Sequence, residues 1–256
     1  MFSVLGIGAS GLAAQNDVLN AIAANIANLN TPGYGESDPA LASTTVVATR
    51  PSGTNLLGQT LNAPLSLTSG VGMVANAPVF SNDVQQTESA SNLAIEGNGF
   101  FMVSGANGLA FTRAGMFELD AGGELVLPGG QKLYPPISIP VGEQFSVSAD
   151  GVVTVSGPNG SQVVGQIKIA SIPNPQGLVS EGDSLYGLSA NSGRPTVTTP
   201  GQNGTGTLLS SALNQSGSSL AQNMVDLVQA ETAYSVNAKM ISVDAQVLQS
   251  TTDLQA

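Results

Sequence analysis

The chain has no cysteine, no histidine and no tryptophan, and only 9% of its 256 residues are charged. Without those side chains there is no Ser-His-Asp or Cys-His nucleophile pair, no zinc site of the usual ligands and no disulfide. Basic residues are also scarce. Arg50, Arg113, Lys132, Lys168, Arg194 and Lys239 stand singly against 17 acidic residues, for a net charge of −11. No basic stripe exists to neutralise phosphates, which disfavours nucleic acid and anionic lipid as partners. Up to Gly35 the only charged side chain is Asp17, so the basic region that opens a signal peptide is missing. No run of about 18 apolar residues offers a membrane span, and no membrane insertion is expected. Export without a cleaved signal stays open.

Glycine and proline, at 31 and 14 residues, exceed ordinary usage but stay below the level of low-complexity disorder, so the chain folds with many turns. Near the start, Leu5, Leu12, Leu19 and Ile26 recur every seven positions, with Ala9, Ile22 and Leu29 in intermediate places. That spacing predicts a helix, which ends where Asn30-Thr31-Pro32-Gly33 supplies a pre-proline residue, a breaker and a turn former. From about residue 36 to 69 neither a helical nor a strand period emerges. This segment reads as an extended arm that becomes ordered against a partner.

Residues 70 to about 210 are short apolar runs separated by turn pairs such as Asn98-Gly99, Gly122-Gly123 and Asp150-Gly151, the pattern of an all-β module. Around Asp150-Gly151, Phe145 and Val147 on one side and Val153 and Val155 on the other alternate with Ser and Thr, as half-buried hairpin strands do. A small barrel or sandwich is expected. From about Ser218 the period turns helical again. Leu220, Met224, Leu227, Tyr234, Ile241 and Leu248 fall on one seam, Ser218 or Ser219 is an N-cap candidate, and Val225, Val228, Val236, Val243 and Val247 add a second apolar surface.

The fold class read from this pattern is α+β. An N-terminal helix (1–35) pairs with a C-terminal one (211–256) as a coiled coil, around an extended arm (36–69) and a β-module (70–210). Two helices with surplus apolar surface cannot hide it alone, so the excess predicts packing against other copies.

No motif rises to a catalytic, cofactor-binding or metal-binding set. Gly6-Ile7-Gly8-Ala9-Ser10-Gly11 matches the dinucleotide fingerprint but lacks the preceding strand and the following acid. It reads instead as close helix packing or a flexible turn. Glu118/Asp120 and Glu181/Asp183 could be imagined as a glycosidase pair, yet nothing selects one pair, and solvated turn carboxylates account for them. The Asn-x-Ser/Thr triplets at Asn159, Asn203 and Asn214 suit exposed loops. The series Asn16, Asn20, Asn25, Asn28 and Asn30 is unusual in a helix and divides between capping and interhelical contacts.

Four ordered blocks resemble the bacterial flagellar basal-body rod and hook family. Ala24 to Tyr34, ANIANLNTPGY, resembles its N-N-x-A-N and T-x-G-[FY] signature. Asn92 to Val103, NLAIEGNGFFMV, resembles its central motif. Phe111 to Leu125 is similar to its F-T-R-x-G-x-F hairpin, and Met224 to Gln249 to its C-terminal helix. The chain departs from the pattern at Ala24, Gly35-Glu36 and Glu231-Thr232. The segment Ser69-Gly70-Val71-Gly72, the run from Asp150 and Thr199 to Gly206 look most like the distal-rod branch.

The resemblance implies a non-enzymatic structural subunit of the distal rod, with a hook or proximal-rod subunit as the alternative. Copies would polymerise into a hollow helical tube that transmits torque and passes export substrates, with the paired helices as its inner layer. It implies no cofactor. The partners implied are further copies, proximal-rod and hook subunits, the rings around the rod and the flagellar type III export apparatus. The rod would span the periplasm, its subunit exported without a cleaved signal. The assembly residues are then Leu5, Leu12, Leu19, Ile26, Asn25, Asn28, Leu220, Met224, Leu227, Tyr234, Ile241 and Leu248, and the arm would contact neighbours and keep the tube straight.

Overall fold

The computed structural model describes residues 2–44, 46–50, 65–68, 70–105, 108–140, 142–157 and 160–253. The chain divides into two compact units, one made of Met1–Ala24, Asp38–Asn76 and Ala221–Ala256, the other of Asn25–Ser37 and Ala77–Leu220.

In the first unit, helix α1 (Phe2–Ala27) has no acidic residue in its first turn and no basic one in its last. Nothing compensates its dipole, so packing must hold it. Helix α2 (Leu220–Asp253) starts directly after Ser219 and has 34 residues, about 51 Å at 1.5 Å each. The two touch where side chains are smallest. A Cβ added to Gly8 would lie 2.8 Å from Ile241 Cγ1, and one on Gly11 2.8 Å from Asn237 Nδ2. Rising numbers in α1 meet falling numbers in α2, so the contact is antiparallel. Two of the fingerprint-like glycines, Gly8 and Gly11, therefore serve close helix packing, while Gly6 faces open space. Gly8, Gly11, Ala14, Ala21 and Ile22 are buried, while Leu5, Leu12 and Leu19 flank them half-buried.

The arm differs from its expectation. Strands β1 (Glu36–Ser43), β2 (Val46–Arg50), β3 (Leu65–Thr68) and β4 (Val71–Val79) form a two-stranded ribbon, β1 against β4 and β2 against β3. Thr44 N donates to Gly70 O at 3.0 Å between the two pairs. Ser10 Oγ on α1 accepts from Val71 N at 3.2 Å. The return strand takes in residues 70–76, which composition assigns to the β-module. Most described ribbon residues between 38 and 76 are exposed or half-exposed. Among the residues whose burial is described, neither face of β1 and β4 is buried, so no apolar alternation exists there from which to read strands.

The second unit holds the core. A six-stranded open sheet runs in the order Val179–Gly182, Leu185–Gly187, Gly108–Thr112, Phe100–Gly105, Ile169–Ser171, Thr196–Thr198. Phe101 and Val103 point into one buried cluster, Phe100 and Met102 into another. Both sheet faces are covered, which is why Phe100-Phe101-Met102-Val103 is apolar without a break. The first cluster also takes Val147, Val153 and Val155 from a three-stranded sheet of Gln144–Val147, Val152–Gly157 and Gly160–Gln166. The hairpin expected around Asp150-Gly151 is present, with Phe145 opposite Val155 and Val147 opposite Val153. Gly151 turns it at φ 81°, and a Cβ there would meet Ile167 O at 2.6 Å. The expected barrel is not closed: among the described residues every sheet has two ends, and the edge Val179–Gly182 is exposed throughout.

Candidate assembly interface

The turn after α1 is built by one carboxamide. Asn25, buried in the last part of the helix, donates from Nδ2 to Ser37 O at 2.9 Å. Its Oδ1 accepts from Ser37 N at 2.8 Å and from Tyr34 Oη at 3.2 Å. The side chain thus occupies both backbone groups of one strand residue, as a neighbouring strand would. Ser218 Oγ donates to Asn25 O at 3.0 Å. Asn28 Oδ1 accepts from Thr31 Oγ1 at 3.1 Å, steadying the turn before Pro32. Gly33 has φ 68°, and a Cβ there would stand 2.2 Å from Ala114 N, so only glycine fits.

Tyr186 closes the same network, accepting from Gly35 N at 2.8 Å. Burial pushes its phenol up to about 12. Asn214 repeats the Asn25 device: its Oδ1 accepts from Ile95 N and its Nδ2 donates to Ile95 O, both at 2.9 Å, and its own O accepts from Gly33 N at 2.9 Å. The triplet reading placed Asn214 on an exposed loop; it is fully buried. Asn203 is exposed, and Asn159 lies outside the described residues. Tyr186 does not stand out in the sequence and Asn214 does so only as a triplet, because each acts on a residue far away along the chain.

Arg113, from the F-T-R block, is buried between Phe80 and Phe100, 5.6 and 5.3 Å from their ring centroids. It donates to Ser81 O, Asn82 Oδ1, Gly97 O and Gly99 O at 2.8–3.2 Å. Burial lowers its pKa to about 10, and neutral acceptors hold it. Of the carboxylates imagined as sugar-cleaving pairs, Glu118 and Glu181 lie in short strands and Asp120 and Asp183 at the turns beside them. Asp120 Oδ1 accepts from Gly122 N and Glu124 N, both at 2.8 Å, and those bonds, Glu124 N–H first, hold its carboxyl below the usual range. Glu118 and Glu181 are exposed, and Asp183 sits at φ 52°.

The expected assembly residues divide into three groups. Asn25 is buried in the turn network. Leu5, Leu12, Leu19, Ile26, Asn28, Leu227 and Ile241 are half-buried. Leu220, Met224 and Tyr234 stay exposed, Met224 at 52%. The Leu248 side chain lies outside the described residues. The second apolar surface is barer still, with Val228 at 62% and Val236 at 61% exposed. A helix apolar on so many sides, with its valines in solvent, is a surface for partners.

Three family models match this chain. They are the flagella basal body rod protein over residues 5–34, the flagellar hook protein FlgE/F/G D1 domain over 94–155, and the flagellar basal body rod FlgEFG protein C-terminal region over 209–254. The flagellar basal-body rod protein FlgG of Buchnera aphidicola is 35% identical over 99% of this chain and 100% of its own. The chain belongs to the flagellar basal-body rod family. The FlgG of Bacillus subtilis, at 32% identity, covers both chains completely. A hook protein FlgE of Rhizobium meliloti matches at 33% over 76% of this chain but only 42% of its own length. End-to-end coverage by rod proteins makes this rod-family chain a structural subunit of the flagellar distal rod, in the basal body, and not an enzyme.

Proposed function

We propose that copies of this subunit polymerise into a hollow helical tube, a drive shaft that transmits torque and lets later export substrates through its centre. The observation that carries this reading is the apolar surface left open along α2, from Leu220 and Met224 through Val228, Tyr234 and Val236 to Val243 and Val247. One antiparallel partner, α1, leaves it uncovered. Repeated head-to-tail contacts that do not close make a tube, and α1 and α2 form its inner coiled-coil layer, with Leu5, Leu12, Leu19, Ile26, Leu227, Ile241 and Leu248 packed between copies. Ribbon β1–β4 lies against neighbouring copies and keeps the tube straight; a two-stranded ribbon with both faces open is marginal alone and gains from such cover. The further partners in this reading are proximal-rod and hook subunits, the rings around the rod and the type III export apparatus, with the rod crossing the periplasm.

Electron cryo-microscopy of flagellar bases from cells lacking this chain, with and without its resupply, tests the proposal. A rod that stops partway and is completed on resupply is the expected result. A complete rod lacking only its hook would overturn it in favour of a hook subunit.

A further inference from the structure

Resting on the self-assembly just proposed, we infer that α2 of one copy packs antiparallel on α1 of the next, joined by an ion pair between Lys239 and Asp17. Copies related by a turn about, and a shift along, an axis parallel to the helices keep every helix direction, so α2 and the next α1 stay antiparallel. On α1, Ala13, Asn16, Asn20 and Ala23 are exposed, turned away from the buried Gly8, Gly11 and Ala14. On α2, Ser235, Ala238, Ser242 and Ala245 are exposed. Read in opposite directions, both rows are spaced three, four and three, the spacing of a coiled-coil seam. Ala13 then meets Ala245, Asn16 meets Ser242, Asn20 meets Ala238 and Ala23 meets Ser235.

The flanks decide the partner. Reversing one helix of a pair exchanges its two flanks, so a residue directly after a seam position meets its counterpart directly after one. Asp17 follows Asn16, and Lys239 follows Ala238. On the other flank Leu19, directly before Asn20, meets Ile241, directly before Ser242, and both are half-buried in the single copy. Asp17 is the only charged residue of α1, and Lys239 is the only basic residue after Arg194. Both are exposed, and neither has an ion-pair partner among the described residues. Covering the seam strands few polar groups: Asn20 Nδ2 already donates to Asn16 Oδ1 at 3.2 Å, and Ser242 Oγ to Lys239 O at 2.9 Å.

This contact does not close. Ile241 lies by Gly8 of its own copy and level with Asp17 of the next, nine positions further along α1, or about 13 Å at 1.5 Å per residue. Each added copy is displaced by that step in the same direction, so the pairing climbs and does not return at two copies.

The test supplies variants to cells lacking the chain and measures incorporation into rods. Asp17→Lys and Lys239→Asp should each lower incorporation about tenfold or more, since each sets like charges against one another across an interface. The chain carrying both changes should regain it. Single variants that incorporate like the unaltered chain, or a double variant no better than the singles, would overturn the pairing. An unaltered chain that fails to incorporate would instead overturn the assembly reading beneath it. Because the chain has no cysteine, an Ala13→Cys, Ala245→Cys double variant gives a second readout that needs no charge reversal. Within one copy the same register shift holds these two positions too far apart for a disulfide. Oxidised rods should run as a ladder of linked copies; no ladder, a dimer alone, or linkage to a different protein overturns the proposal.

Discussion

The β unit and the helical unit of this chain solve opposite problems. In the first, Phe101, Ile95, Ile139, Ile167 and Leu208 are buried in one continuous cluster, and the buried polar side chains of Arg113 and Asn214 have partners there. In the second, α1 and α2 meet through glycines while the valines of α2 face solvent. The β unit buries its apolar side chains within one copy. The helical unit packs α1 on α2 but carries the rest of its apolar surface outward.

Substitutions that separate stability from assembly test this contrast, from the largest effect on the lone chain to the smallest. Phe101→Ala should destabilise the β unit by about 3–5 kcal/mol, a buried aromatic lost from a closed core. Urea unfolding followed by tyrosine fluorescence measures it, and a loss under about 1 kcal/mol would mean that the core is looser than its burial implies. Asn25→Ala strands both backbone groups of Ser37 and should cost about 2–3 kcal/mol, read in the same experiment and in faster amide exchange at Ser37.

Tyr186→Phe should cost about 1 kcal/mol at neutral pH and remove one alkaline titration. The folded phenol ionises near 12 against 10.0 in the open chain. The unfolded chain therefore loses its proton first, and stability falls between pH 10 and about 12. The variant should be flatter across that window. Val228→Asp should change monomer stability by no more than about 0.5 kcal/mol, yet reduce incorporation into rods severely. A monomer that loses stability while still assembling would reverse the contrast.

Much of this was legible in the sequence, and the failures have causes. The helices were readable because their apolar spacing persists over many turns, and the hairpin at Asp150-Gly151 because one face is wet and the other dry. Ribbon β1–β4 was not, since a strand exposed on both faces carries no alternation. The face by which α1 meets α2 was hidden behind the more conspicuous leucine heptad: glycine and alanine mark close approach by what they lack. Asn25 could be singled out as an odd residue in a helix, but its bond to Ser37 is a property of the folded turn. Asn214 was misread because a local triplet says nothing about a strand more than a hundred residues away.

Asn25 also has a mechanical meaning. Its two hydrogen bonds to Ser37 close a loop around residues 26–36, so a pull between the end of the helix and the start of β1 does not run through that turn. The force bypasses the turn through a pair of bonds strained side by side, which must rupture together before any slack is released. In a rod subunit, such a shunt keeps a corner that contains two glycines and a proline from carrying the load.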